Sequence, residues 1–178
     1  MNLTDLYKAT AVTDIIQPAT QGMWELVNVE VTEKILLLPD FREQLHYQGI
    51  KKPCHFLKLM HKYRGCIMAD VPREKRDLMW LYKNAKGRVL ITGLGLGCAI
   101  KAALLNPLCE SIDVVEIDKD VIKLSILPEN YAACDEKGIL HIVTARYGPK
   151  MVGYFIANVV IHPHYKDAGL MAFTDMYF

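Results

Sequence analysis

The chain has 178 residues, 52% hydrophobic and 23% charged, enough apolar material for one folded core, which excludes an intrinsically disordered chain. A net charge of +1 calls for neither nucleic acid nor a membrane surface as partner. The five cysteines (Cys54, Cys66, Cys98, Cys109 and Cys134) are odd in number and form no C-x-x-C pair, which excludes a simple disulfide framework or zinc knuckle and points to a reducing, cytoplasmic setting.

Each cysteine is then expected as a small core hydrophobe. Asp5 and Lys8 interrupt the N-terminal apolar residues, so no signal peptide is expected. The longest mostly apolar run, Val152 to Ile161, is too short to span a bilayer. Residues 1 to 20 read as a short amphipathic helix or an arm ending near Pro18. Trp24 to Val31, WELVNVEV, alternates and predicts a strand. Ile35-Leu36-Leu37-Leu38-Pro39 fits either a helix start or a buried turn, and Lys51-Lys52-Pro53 fits a loop.

Cys54 to Asp70 predicts a hairpin, turning at Tyr63-Arg64-Gly65 with apolar residues on both sides. Asp70 is placed to cap a helix with Pro72 in its first turn, running to Lys86 and stopping at Gly87. Leu78, Leu81, Tyr82 and Ala85 share one face of it at helical spacing. Arg73, Glu74, Lys75, Arg76 and Asp77 form a charge run that reads as a solvated face.

The informative stretch is Arg88 to Asp118. Val89 to Thr92 is a short apolar run suited to a strand buried on both faces. Gly93-Leu94-Gly95-Leu96-Gly97 turns the chain, and without Cβ atoms such a loop admits a ligand close to the backbone. A helix from Cys98 to Leu105 follows, stopped by Asn106-Pro107. The next strand, Ile112 to Ile117, carries Glu116 and runs into Asp118. Such a βαβ unit binds the nucleoside part of a cofactor at the carboxyl ends of its strands. Glycine turns between strand and helix also occur without a ligand, so the placement of the acid gives the motif its weight. The spacing is G-x-G-x-G; the dinucleotide fingerprint is G-x-G-x-x-G, and its third glycine position is here Cys98. An NAD(P) reading therefore ranks last.

These residues resemble the class I S-adenosyl-L-methionine (SAM) dependent methyltransferases, in particular the spermidine-synthase-like branch. The resemblance lies in LITGLGLG after an apolar strand, in Val115-Glu116-Ile117-Asp118 at the next strand end, and in a hairpin just upstream. It covers about Tyr63 to Ala145. It implies that Gly93, Leu94, Gly95 and Gly97 close on the methionine part of SAM. It also implies that Glu116 holds the ribose hydroxyls, with Ile117 and Asp118 beside it. A carboxylate suits a vicinal diol, since it accepts two charge-assisted hydrogen bonds.

Beyond Asp118, Lys119 to Leu127 predicts a helix, Pro128 starts a second that ends at Gly138, and Ile139 to Ala145 predicts the third core strand. The family places an acid for the adenine amine at the end of that strand. Here Thr144 or Arg146 stands there, and arginine has donors only. Val152 to Ile161 is the candidate fourth strand and Gly169 to Phe173 the fifth. A parallel crossover needs about a dozen residues or more, so these two pair as an antiparallel hairpin or are not neighbours. Between them stands His162-Pro163-His164-Tyr165, where amino-methylating enzymes carry an Asp/Asn-Pro-Pro-aromatic motif. Its histidines suit a general base near neutral pH or an ordinary turn; H-x-H without a third ligand does not make a metal site.

The expectation is a single α/β domain over 1–178 with a Rossmann-like, mostly parallel sheet of class I methyltransferase type, shortened at its C-terminal end. Residues 1–70 form an N-terminal extension with the hairpin, and 71–178 the SAM-binding core. The resemblance implies methyl transfer from SAM to an unidentified small-molecule acceptor, with His162, His164 or Asp70 as candidate base. The alternatives are aminopropyl transfer or SAM breakdown by the same fold, and a non-catalytic SAM-binding or assembly module. An unfinished sheet edge is a liability that a homo-oligomer would cover.

Overall fold

A computed structural model of the chain describes residues 1–125, 140–144 and 170–174. Two four-stranded sheets meet there across a shared apolar core.

The first sheet belongs to the N-terminal part. Helix α1 (Leu3–Ala9) starts at Asn2, whose side chain accepts from the Asp5 N–H at 2.9 Å. An arm then leads to β1 (Ala19–Gln21) and β2 (Trp24–Val31). Strands β3 (Cys54–His61) and β4 (Gly65–Ala69) are the expected hairpin, and the order β1-β2-β3-β4 is antiparallel throughout. Between β2 and β3, the segment that fitted either a helix start or a buried turn holds the end of one helix and the start of another, joined at Leu37 and Leu38, which are exposed rather than buried. Helix α2 (Glu33–Leu36) ends, and α3 (Pro39–Tyr47) begins with proline in its first turn, where the missing N–H costs nothing.

The helix expected from Pro72 to Lys86 is two pieces, α4 (Pro72–Lys75) and α5 (Leu78–Asn84). Val71 stands at the N-cap of α4, and Asp70 does not cap it. Lys75 is drawn inward to Asp70 and is 4% exposed, so the charge run is not wholly solvated. The backbone tightens there into three-residue bonds, from the Arg76 N–H to the Arg73 carbonyl and from the Met79 N–H to the Arg76 carbonyl. Leu78, Leu81 and Ala85 face the core as the spacing predicts, with Tyr82 packed against it.

The second sheet is parallel. Its strands are β5 (Gly87–Thr92), β6 (Cys109–Glu116), β7 (Leu140–Thr144) and β8 (Leu170–Thr174), in the order β7-β6-β5-β8. Helix α6 (Cys98–Leu104) joins β5 to β6, and α7 (Lys119–Ser125) follows β6. Counted within this sheet the order is 3-2-1-4, which matches the first four positions of a doubly wound sheet. The place beside β5 is filled by 170–174, in parallel, and not by the run from Val152 to Ile161. The connection from β7 spans residues 145–169, ample for a parallel crossover. The helix from Pro128, Arg146, the candidate strand Val152 to Ile161 and the motif with His162 and His164 lie outside the described residues.

One apolar cluster binds the two sheets. Leu6 of α1, Val12 and Ile16 of the arm, and Leu26, Leu57 and Leu59 of the first sheet pack with Val89, Ile91, Ile100, Ile112 and Val114. Each such fully buried aliphatic side chain contributes about 1.5–3 kcal/mol. Among the described cysteines only Cys98 is fully buried; Cys54 and Cys109 are half-buried and Cys66 is exposed, so it is not the core group expected, and Cys134 lies outside the described residues. Among the described residues no helix is long and apolar enough to cross a membrane.

Candidate cofactor site

The glycine loop leaves β5 at Thr92 and enters α6 at Cys98. Gly93, Gly95 and Gly97 have φ of 84°, 53° and 78°, the left-handed region that side chains other than glycine occupy at a cost. Between them Leu94 and Leu96, 3% and 0% exposed, pin the loop to the core. The Gly93 N–H donates to the Val115 carbonyl at 2.8 Å, and the Gly97 N–H to the Leu94 carbonyl at 2.9 Å. The Leu96 N–H donates to the Met68 sulfur at 3.3 Å. The Gly95 N–H has no acceptor among the described residues.

Glu116 closes β6 and is 6% exposed. Its Oε2 accepts from the Leu94 N–H at 2.8 Å and its Oε1 from the Asp118 N–H at 2.9 Å. The carboxylate thus ties the loop to the strand end. Each oxygen keeps capacity for another donor, and no cation pairs with it among the described residues. In the parallel ladder it stands opposite Thr144.

Loop and carboxylate border one cavity of about 290 Å³, lined also by Trp24, Arg64 and Met68. That lies just below the roughly 300–1,000 Å³ typical of ligand pockets. Of the expected cofactor residues, Gly93, Leu94, Gly95, Glu116 and Ile117 line it, whereas Gly97 and Asp118 do not. Gly97 starts α6. Asp118 accepts the Trp24 indole N–H at 2.7 Å and the Asp120 N–H at 2.9 Å, so it fastens β2 and the start of α7 to the strand end. A cavity of 250 Å³ between the arm and α6 and one of 540 Å³ beside α3 have neither the glycine loop nor Glu116 in their walls.

Asp70, the candidate base, is not in the wall of this cavity. Its carboxylate forms a buried ion pair with Lys75 and accepts the N–H groups of Val12 and Thr13 at 2.9 Å and the Thr13 hydroxyl at 2.6 Å. Burial pushes its pKa up, but the Lys75 charge and these hydrogen bonds outweigh that and hold it below the ordinary carboxylate value. Lys75 also donates to the Tyr7 carbonyl at 3.1 Å. The pair therefore anchors the N-terminal arm. Cys98 is fully buried with its thiol 3.9 Å from Asp70, and burial, then the Asp70 charge, pushes its pKa strongly up; it is an inert core group.

Sequence reasoning missed Trp24, Arg64 and Met68. Trp24 and Met68 read as strand positions and Arg64 as a turn residue, and only tertiary packing brings them to the loop. The hairpin placed just before the core was the one available signal.

No protein-family model matches the chain, and no curated protein matches its sequence. Among solved structures it is similar to a protein assigned as an RNA methyltransferase of Pyrococcus horikoshii, at 27% identity, 41% of this chain, 35% of that one and a TM-score of 0.32. It is similar to spermidine synthase from Thermotoga maritima at 18% identity, 74% and 50% coverage and a TM-score of 0.33. An archaeal alanine dehydrogenase with bound NAD matches at 10% identity, 81% and 50% coverage and a TM-score of 0.28. The chain spans a third to a half of the length of those proteins.

Proposed function

We propose that the chain binds SAM and transfers its methyl group to a small-molecule acceptor. The observation that supports this reading is the left-handed glycine loop, tied to Glu116 and lining one cavity with it. The residues fit an adenosyl-sulfur ligand. Nothing lies within 4 Å of where a Gly93 side chain would begin, so a ligand can approach the backbone there. The Gly95 N–H is available to an acceptor, and the Glu116 oxygens are available to ribose hydroxyls. The chemistry SAM supplies is a methyl carbon made electrophilic by its sulfonium; the protein then has to hold donor and acceptor in line. The base, if the acceptor needs one, is sought in His162 or His164.

A second reading, a non-catalytic binding or assembly module, has its own support. Met68 already takes the Leu96 N–H, and Glu116 already takes two backbone N–H groups. Calorimetric titration with SAM, S-adenosylhomocysteine and NAD decides whether the cofactor reading stands. Saturable binding of the two adenosyl-sulfur ligands, weakened by Glu116→Ala, is expected. Heat from NAD alone, or from none, sinks it. Product analysis by mass spectrometry then separates methyl transfer from aminopropyl transfer and SAM breakdown.

A further inference from the structure

Arg64 and Glu116 are the charged residues in the wall of the cavity. They differ in what they already hold. Glu116 has accepted two backbone N–H groups. Arg64 is exposed and forms no ion pair or side-chain hydrogen bond among the described residues. It sits in a turn that the hairpin closes firmly: the Arg64 N–H donates to the His61 carbonyl at 3.1 Å, and His61 pairs with Gly65 in the ladder. The turn carries a second cation, Lys62, 5.6 Å from the Tyr63 ring, and no acid. Of these two cations, Arg64 lines the cavity.

We propose that Arg64 receives the carboxylate at the amino-acid end of the ligand, so that the site is built for intact SAM and against its decarboxylated form. This rests on the reading that the cavity takes an adenosyl-sulfur ligand. A guanidinium presents a planar fork that matches a carboxylate with two hydrogen bonds. Loss of that carboxylate leaves a ligand whose ionic groups, sulfonium and ammonium, are both positive. Such a ligand meets Arg64 with like charge. Pairing of a carboxylate with Arg64 thus favours a methyl donor over an aminopropyl donor before any acceptor is considered.

The test compares two probes on the full chain. S-adenosylhomocysteine carries the amino-acid end; 5′-methylthioadenosine keeps the adenosine and sulfur and lacks it. Calorimetric titration of Arg64→Ala is expected to show about a tenfold loss of affinity for the first probe and none for the second. Arg64→Lys, which keeps charge without the fork, should fall between. Unchanged affinity for both probes, or an equal loss for both, overturns the assignment while leaving the cofactor reading in place. No binding of either probe to the unmodified protein overturns the cofactor reading and this assignment together.

Discussion

Asp70 and Glu116 are both carboxylates at strand ends, 7% and 6% exposed, and both accept backbone N–H groups. They differ in the charge beside them and in the space before them. Asp70 is completed by Lys75, buried with it, and does not line the cavity beside the glycine loop. Glu116 has no cation among the described residues and forms part of that cavity's wall. A buried acid is thus not itself a site. It becomes a candidate when its charge is left for something from outside to answer.

The contrast predicts different losses. Lys75→Met leaves Asp70 buried without its counter-charge and should cost about 3–5 kcal/mol of stability, read by urea unfolding. A loss below about 1 kcal/mol would mean that the pair does not anchor the arm. The acid side follows from the lowered Asp70 pKa. A group whose folded pKa lies below its unfolded value stabilises fully above the unfolded value, about 4, and that contribution disappears as pH falls through the folded value. Unfolding midpoints measured downward from pH 5 should therefore drop, and Asp70→Asn should flatten that drop.

Glu116→Gln tests the other member. Its amide can accept from only one of the two N–H groups now held, so about 1–2 kcal/mol of stability should go. The main loss should be in ligand affinity, about tenfold for S-adenosylhomocysteine by calorimetry. If stability falls as far as in Lys75→Met while affinity holds, Glu116 is an anchor like Asp70 and the contrast is gone.

Much of this was legible in the sequence because it is local. The hairpin at Tyr63-Arg64-Gly65, the loop at Gly93 to Gly97 and the acid at the end of Val115-Glu116 follow from glycine placement and apolar runs, and the chain folds them accordingly. What sequence spacing cannot show is which partner a charge will find. Asp70 read as a helix cap; Val71 stands there instead, and Asp70 is held by Thr13, which lies 57 residues away in the chain and reaches it through the packed arm. Lys75 read as one of a solvated run for the same reason. The place of β8 beside β5 was equally non-local: nothing in Leu170 to Thr174 states which edge it joins.

Strand β4 links the two acids, with Asp70 just past its end and Met68 two residues earlier against the glycine loop. Gly93→Ala and Gly95→Ala should each lose about 1–2 kcal/mol from left-handed backbone alone. They differ in surroundings: nothing lies within 4 Å of a Cβ at Gly93, whereas one at Gly95 would stand 2.5 Å from the Met68 sulfur. The thioether is the end of a flexible side chain and can swing away, so the added cost at Gly95 should be small, about 0.5–1 kcal/mol. It should vanish in a Met68→Ala background, which a double-mutant cycle by urea unfolding reads directly. Coupling of that size means that the hairpin anchored by Asp70 bears on the loop that Glu116 holds, and that a ligand pressing on the loop is felt at β4. Strict additivity would separate the two ends and leave Met68 as simple filling.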